Sequence, residues 1–405
     1  MRERYERPEW VRLVNRMAGA VGGDARRIVP LDADELLETA AASLGGMPRG
    51  DLGDPDWPAR FASLVDALDR SDLHTTGRLM TREELLRALR SRLLMTLRAD
   101  ADPDLFDEAI EAPVIVTGPA RSGTTILFEL LWLDPSLRAP LAWEALHPQP
   151  LPEDGGDDRR LLWSGCEQEL WAVVQPEFAA IHELRSDLPV ECVTLDMPSF
   201  AGMHWPMIAQ LEGWAPDVAV DYDFHRRILQ TLQRGRERST WLLKTPGHLM
   251  TLDALFATYP DAWIVQTHRD PAKTMPSTVS TTAMVQWLRR DAVDLQMLAQ
   301  VISAGFAAAL NGSVAVRESE RGARFVDVHF QSLMKDPVDT LRRAYDGMGR
   351  PFSEAHGERV LQYLSDKPKG KFGTHRYRPE EWGFTADGLR EQLAPYISHF
   401  AVALE

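Results

Sequence analysis

The stretch from residue 113 to residue 133 limits the fold more than any other part of the chain. Pro113–Thr117 (PVIVT) is a short, β-branched, apolar run, and Thr124–Leu133 (TTILFELLWL) is apolar nearly all round. The first has the composition of a strand buried on both faces of a parallel sheet. The second reads as a buried helix, and a glycine-bearing turn joins the two. Trp241–Leu243, Trp263–Thr267 and Phe325–His329 are further candidate strands, each followed by a turn and a helical pattern. Strands alternating with helices predict an α/β fold, a mostly parallel sheet flanked by helices on both faces. In such sheets ligands bind beyond the carboxyl ends of the strands, and the motifs below all fall at such ends.

The turn itself, Gly118-Pro-Ala-Arg-Ser-Gly-Thr-Thr125, has the Gly-x4-Gly frame of a phosphate-binding loop, which makes the expected fold P-loop-like. Backbone N–H groups of such a turn and of the helix start point at an anion, and the helix dipole favours negative charge there. Gly118 and Gly123 permit close backbone approach, while Ser122, Thr124 and Thr125 offer hydroxyl donors. Thr124 stands where a nucleoside triphosphatase carries its lysine, and the cation is Arg121, three residues earlier. A second motif, Trp263-Ile-Val-Gln-Thr-His-Arg-Asp-Pro271, ends a candidate strand in Arg269, with Ser277 eight residues later. An arginine there offers charge-assisted, bidentate hydrogen bonds to a phosphate.

Together these segments resemble the PAPS-dependent sulfotransferases, enzymes that use 3′-phosphoadenosine-5′-phosphosulfate (PAPS) as donor and release PAP. The similarity is to the bacterial and tyrosylprotein-type branch, and it runs from about Pro113 onward. The resemblance implies that Gly118, Pro119, Arg121, Ser122, Gly123, Thr124 and Thr125 form the 5′-phosphosulfate loop, and that Arg269 and Ser277 hold the 3′-phosphate. Leu133-Asp-Pro-Ser-Leu-Arg138 looks like the family's continuation of the loop, and Phe330–Pro337 like a late turn that serves architecture. The segment Lys367–Tyr377, with Lys369, Gly370, Lys371, His375 and Arg376, is similar to the basic lid over the same phosphate, although it departs from the stricter form of the hormone-type enzymes.

Sulfuryl transfer asks the protein for in-line positioning, charge stabilisation and removal of the acceptor's proton. Arg121 and the loop amides suit the leaving group, and Lys244 ends another apolar strand where it can join them. The base must be a carboxylate or histidine near the acceptor. Glu144, about two dozen residues after Arg121, resembles the catalytic glutamate of tyrosylprotein-type enzymes with a two-residue offset, and His147 is the second candidate. A helix-capping or salt-bridged role for Glu144 stays open. His182 and Glu191 look like a further family landmark near the acceptor. No His/Asp/Glu cluster has compelling metal-ligand spacing, so no metal is expected.

Residues 1–112 read as helices, Asp32–Gly45, Trp57–Asp69 and Thr81–Leu97 among them, whose apolar faces need cover. They are expected to form an N-terminal helical arm on a 113–405 sulfotransferase domain, with the acceptor segment at about 145–240. That segment holds Trp163, Trp171, Phe178, Met197, Phe200, Met203, Trp205, Met207 and Trp214. As a group these favour a small lipidic, phenolic or glycolipid acceptor, although core packing is the better account of any one of them. A net charge of −15 argues against a nucleic-acid surface. Two cysteines exclude a disulfide framework, and the charged Met1–Trp10 lacks a signal peptide's apolar run. No apolar run is long enough for a membrane span. The expectation is a cytoplasmic enzyme, and the acidic helical arm is compatible with a homodimer. Two other readings use the same loop: a kinase-like phosphotransferase, and a non-catalytic protein that binds PAP or another nucleotide.

Overall fold

The computed structural model describes residues 5–150, 158–180, 183–367 and 379–405. The chain divides into two compact units. One comprises Met1–Ala109, Leu141–Glu237 and Met284–Val293; the other comprises Ile110–Pro140, Arg238–Ala283 and Asp294–Glu405. This differs from a linear division at residue 112, because 141–237 is gathered with the N-terminal helices. The reason is cover for apolar faces: Leu36, Phe61, Leu64, Leu85, Leu89 and Leu93 form one core with Phe200, Trp205 and Ile208. Burying each such side chain stabilises by about 1.5–3 kcal/mol.

The first unit is helical. Its longest helix, Thr75–Ala101, starts six residues before the apolar pattern predicts. Thr75, Thr76 and Gly77 are weak helix formers, but the His74 side chain accepts the Gly77 N–H at 2.9 Å and caps the turn. Glu84, Arg87, Ser91 and Arg92 of this helix are buried along with Leu85, Leu89, Leu93 and Leu94. The charged members are paired: Arg92 with Asp54 at 2.8 Å, and Glu84 with Arg289 at 2.6 Å. Buried charges persist only with such partners.

The second unit is built on five parallel strands: β1 (Val114–Thr117), β2 (Leu137–Arg138), β3 (Thr240–Lys244), β4 (Trp263–His268) and β5 (Phe325–His329). Their order is β2-β3-β1-β4-β5. Four of the strands are those expected from composition. The edge strand β2 is only two residues long and has no sequence signal; its register pairs Leu137 with Thr240 and Arg138 with Trp241. The helix Thr124–Trp132 lays Leu127, Phe128, Leu130 and Leu131 into a core with Val114, Val116, Leu242 and Val265. From β1 the chain runs to one side of the sheet and returns on the other, so the carboxyl ends of β3, β1 and β4 meet at a switch point.

Among the described residues one helix, Leu295–Arg317, is long and apolar enough by length and composition to cross a membrane. Within the second unit it buries Leu298, Phe306 and Leu310, and its Asn311 Nδ2 donates to Gln392 O at 3.1 Å. One face of the helix is thus packed, while Met297 and Val301 are exposed.

Candidate active site

Three neighbouring strand ends in the second unit carry Arg121, Lys244 and Arg269. After β1 the turn adopts left-handed backbone at Gly118 (φ 137°), Arg121 (φ 68°) and Gly123 (φ 91°). A Cβ on Gly118 would lie 2.6 Å from the Thr267 carbonyl oxygen, so glycine is required where β4 passes. A Cβ on Gly123 would lie 2.9 Å from the Phe330 ring. Gly123 then caps the helix Thr124–Trp132 with no side chain hydrogen-bonded to the helix start. The first-turn N–H groups have no carbonyl within the helix to donate to, which leaves the positive end of the helix dipole facing out of the loop.

The hydroxyls divide their work differently from the expectation. Ser122 is buried, and its Oγ bonds to the Pro119 carbonyl and to Thr267 Oγ1. Its N–H also donates to Pro119 O, at 3.1 Å. Ser122 therefore braces the loop from inside and does not present a hydroxyl to an anion, because the left-handed residue before it turns its side chain toward the sheet. Thr125 is exposed, and its Oγ1 accepts from Lys244 Nζ at 3.1 Å. That bond places the ammonium at the end of β3 beside the first turn of the helix after β1.

The second motif meets the first. Arg269, just past β4, donates from Nη1 to the Arg121 carbonyl at 3.0 Å and stacks on the Phe330 ring at 3.9 Å. Phe330 thus packs on the loop glycine and on this guanidinium alike. Ser277 lies in the following helix, Pro271–Trp287; it is fully buried and its Oγ has no hydrogen-bond partner. Thr274 and Ser280, one turn to either side, are in the same state. Buried hydroxyls are normally satisfied, so this helix has donor capacity for a polar ligand. Helix Leu295–Arg317 and β5 support the strand end: Arg317 pairs with Asp327 at 2.7 Å, and Asp327 accepts from His268 at 2.9 Å.

Glu144 and His147 belong to the first unit. Glu144 is buried, accepts the Leu141 N–H at 3.2 Å at the start of helix Ala142–Leu146, and pairs with Arg236 at 3.1 Å. The capping and salt-bridged roles left open by the sequence are therefore both present. His147 bonds through Nε2 to Glu167 Oε2 at 2.8 Å, and its ring lies against Trp163. Behind it is a charge cluster, buried at Arg87 and Glu167 and partly exposed at Glu83. Arg87 contacts Glu83 at 3.2 Å and Glu167 at 3.5 Å. Burial pushes the Glu83 carboxyl up to about 8; Arg87 opposes this and Glu167 adds to it. Burial also works against the charge of Glu167, but Arg87 and His147 hold it down at about 2.

Of the apolar residues considered for an acceptor pocket, Phe178, Met197, Phe200 and Trp205 are core, with Trp171 and Trp214 against them. Trp163, Met203 and Met207 are partly exposed. Lys369, Gly370, Lys371, His375 and Arg376 lie outside the described residues, as does His182. Neither Thr267 nor Phe330 has a site role in the sequence alone. Thr267 could have been found from its place two residues before Arg269 at a strand end; Phe330 opens the segment that the resemblance assigns to architecture, and its contact with the loop is long-range.

A model described as the sulfotransferase family matches residues 113–354. The omega-hydroxy-beta-dihydromenaquinone-9 sulfotransferase Stf3 of Mycobacterium tuberculosis is 24% identical over 286 residues, which is 67% of this chain and 71% of that protein. Among solved structures, sulfotransferase STF9 from Mycobacterium avium superposes with a TM-score of 0.79 at 27% identity, covering 93% of this chain and 98% of its own. Sulfotransferase STF1 from Mycobacterium tuberculosis gives 0.74 at 28% identity, covering 89% and 98%.

Proposed function

Because this chain belongs to the sulfotransferase family, we propose that it transfers the sulfuryl group of PAPS to a hydroxyl of a small lipidic acceptor, releasing PAP. One observation carries the donor reading: Arg269 sits against the β1 loop, bonded to the Arg121 carbonyl and stacked on Phe330. A loop built for one anionic group and an arginine built for another share an edge, as a bisphosphorylated nucleotide requires. The unpartnered, buried Ser277 hydroxyl fits the same ligand.

Each residue then has a defined task. The loop amides and the exposed Arg121 hold the 5′-phosphosulfate. Lys244, anchored on Thr125, stabilises charge that develops on the bridging oxygen as the sulfur–oxygen bond to the 5′-phosphate breaks. Arg269 and Ser277 bind the 3′-phosphate. Glu144 takes the acceptor's proton as the new oxygen–sulfur bond forms; this role rests on the sequence resemblance. The lipidic acceptor is supported by the named substrate of Stf3, a hydroxylated menaquinone derivative.

Calorimetric titration with PAP, ADP and ATP–magnesium tests the donor. Tight PAP binding, weak ADP binding and loss of PAP binding in Arg269→Ala are expected. Preference for ATP–magnesium would overturn the donor reading. Turnover on a long-chain alcohol should exceed turnover on a simple sugar, and the reverse order would overturn the acceptor class.

A further inference from the structure

Arg269 has an acidic partner within its own unit. Nε donates to Glu405 Oε1 at 2.9 Å and Nη2 to Glu405 Oε2 at 3.0 Å, a two-pronged pair. A guanidinium meets a phosphate in the same forked geometry. Isolated surface pairs of long side chains contribute little because both ends are free to move, but here the backbone carrying the carboxylate is tied down. The Glu405 N–H donates to Asp270 Oδ2 at 2.8 Å, and the Glu405 main-chain oxygen accepts from Arg390 Nη2 at 3.0 Å. Arg390 Nη2 also bonds to Asp270 Oδ2 at 2.6 Å. Asp270 is fully buried and follows Arg269 directly in the chain. Earlier in the same strap, Phe400 and Val402 are buried, and the Val402 N–H donates to Ile397 O at 3.0 Å.

We infer that the Glu405 carboxylate is a resident anion of the Arg269 subsite, which the 3′-phosphate of the donor must displace, so that Glu405 sets the affinity and selectivity of that subsite. The inference rests on the donor reading proposed above. Two groups hold the guanidinium without using the nitrogens that face Glu405: the Arg121 carbonyl takes Nη1, and the Phe330 ring lies under the plane. Arg269 therefore keeps its orientation while one anion replaces another. A phosphate dianion gains more from the guanidinium than a carboxylate does. A ligand lacking a group to place there has no cause to displace Glu405.

The experiment is a calorimetric comparison of PAP and AMP binding to the wild type, Glu405→Gln, Arg269→Ala and the double variant, with Glu405→Ala as a second way of removing the charge. Glu405→Gln and Glu405→Ala should each tighten PAP binding about 3- to 10-fold and leave AMP, which lacks the 3′-phosphate, unchanged. In the Arg269→Ala background, Glu405→Gln should bring no gain. If both Glu405 variants bind PAP as the wild type does, or more weakly, while Arg269→Ala loses it, the inference is overturned and the donor reading stands. If the wild type and every variant fail to bind PAP, the donor reading falls and takes this inference with it.

Discussion

Ser122 Oγ and Thr267 Oγ1 are hydrogen-bonded to each other inside the anion loop, joining residues 145 positions apart in the chain. Thr267 Oγ1 also reaches the Thr117 carbonyl at 3.3 Å, so one hydroxyl at the end of β4 supports both ends of the turn after β1. The loop is thus shaped by its neighbour strand as well as by its own glycines. Thr267→Val keeps the volume and removes the hydroxyl, at a cost of about 1–2 kcal/mol. Urea unfolding should show that loss together with weaker PAP binding. Unchanged PAP affinity in a destabilised variant would mean that the brace serves stability alone.

Gly118→Ala should be the most damaging single change in the loop. It combines a positive φ with a Cβ held 2.6 Å from a backbone oxygen that cannot swing away. The cost is expected at about 3 kcal/mol or more, read as a large fall in the urea midpoint or loss of soluble protein. A variant as stable as the wild type would show that β4 can shift at Thr267.

Lys244→Ala removes the ammonium that rests on Thr125. If Lys244 acts on charge that develops as the leaving bond breaks, kcat should fall about 100- to 1000-fold. PAP affinity should change far less. Equal losses in both would assign Lys244 to ground-state binding of the donor.

Glu144→Gln keeps the shape of a side chain that accepts the Leu141 N–H, and it alters the pairing with Arg236. Transfer should be abolished while PAP binding persists. His147→Gln should leave most of the turnover. The opposite pattern, an active Glu144→Gln and an inactive His147→Gln, would move the base to the histidine.

The cluster of Glu83, Glu84, Arg87, His147 and Glu167, buried except at the partly exposed Glu83, predicts a pH signature. Glu83 is held near 8 in the folded state, chiefly by burial, so between about pH 4.5 and 8 the folded chain binds a proton that the unfolded chain has released. That contribution to stability falls as pH rises through this window. Glu84 and Glu167, held at about 2, have the opposite sign: their stabilisation is present above about pH 4.5 and is lost as pH falls toward 2. Glu83→Gln cannot titrate, so its stability relative to the wild type should rise between pH 5.5 and 8.5, by an amount kept small because the Glu83 carboxylate is partly exposed to solvent. Urea midpoints at the two pH values decide it, and parallel pH slopes for the two proteins would remove Glu83 from the account.

Much of the site is written in short range. Val114–Thr117, Gly118–Thr125 and the helix Thr124–Trp132 are recognisable because a buried strand, a left-handed turn and an apolar helix each draw on neighbouring residues. Arg269 and Lys244 were legible for the same reason, as charged residues closing apolar strands. The parallel sheet follows from the alternation of elements, and the two-residue β2 escaped because so short an edge strand leaves no pattern.

Long-range pairing settled the remainder. The inward turn of the Ser122 hydroxyl depends on Thr267, and the stacking of Arg269 depends on Phe330. The carboxylate facing Arg269 comes from Glu405, 136 residues away. The grouping of 141–237 with the N-terminal helices likewise depends on which apolar faces can cover one another. The amino-acid order alone carries the chemistry available at each strand end, since local backbone preference and side-chain type suffice for that. Which hydroxyl braces the loop, and which anion sits on the arginine, follows from packing between segments more than a hundred residues apart, and no local preference encodes it.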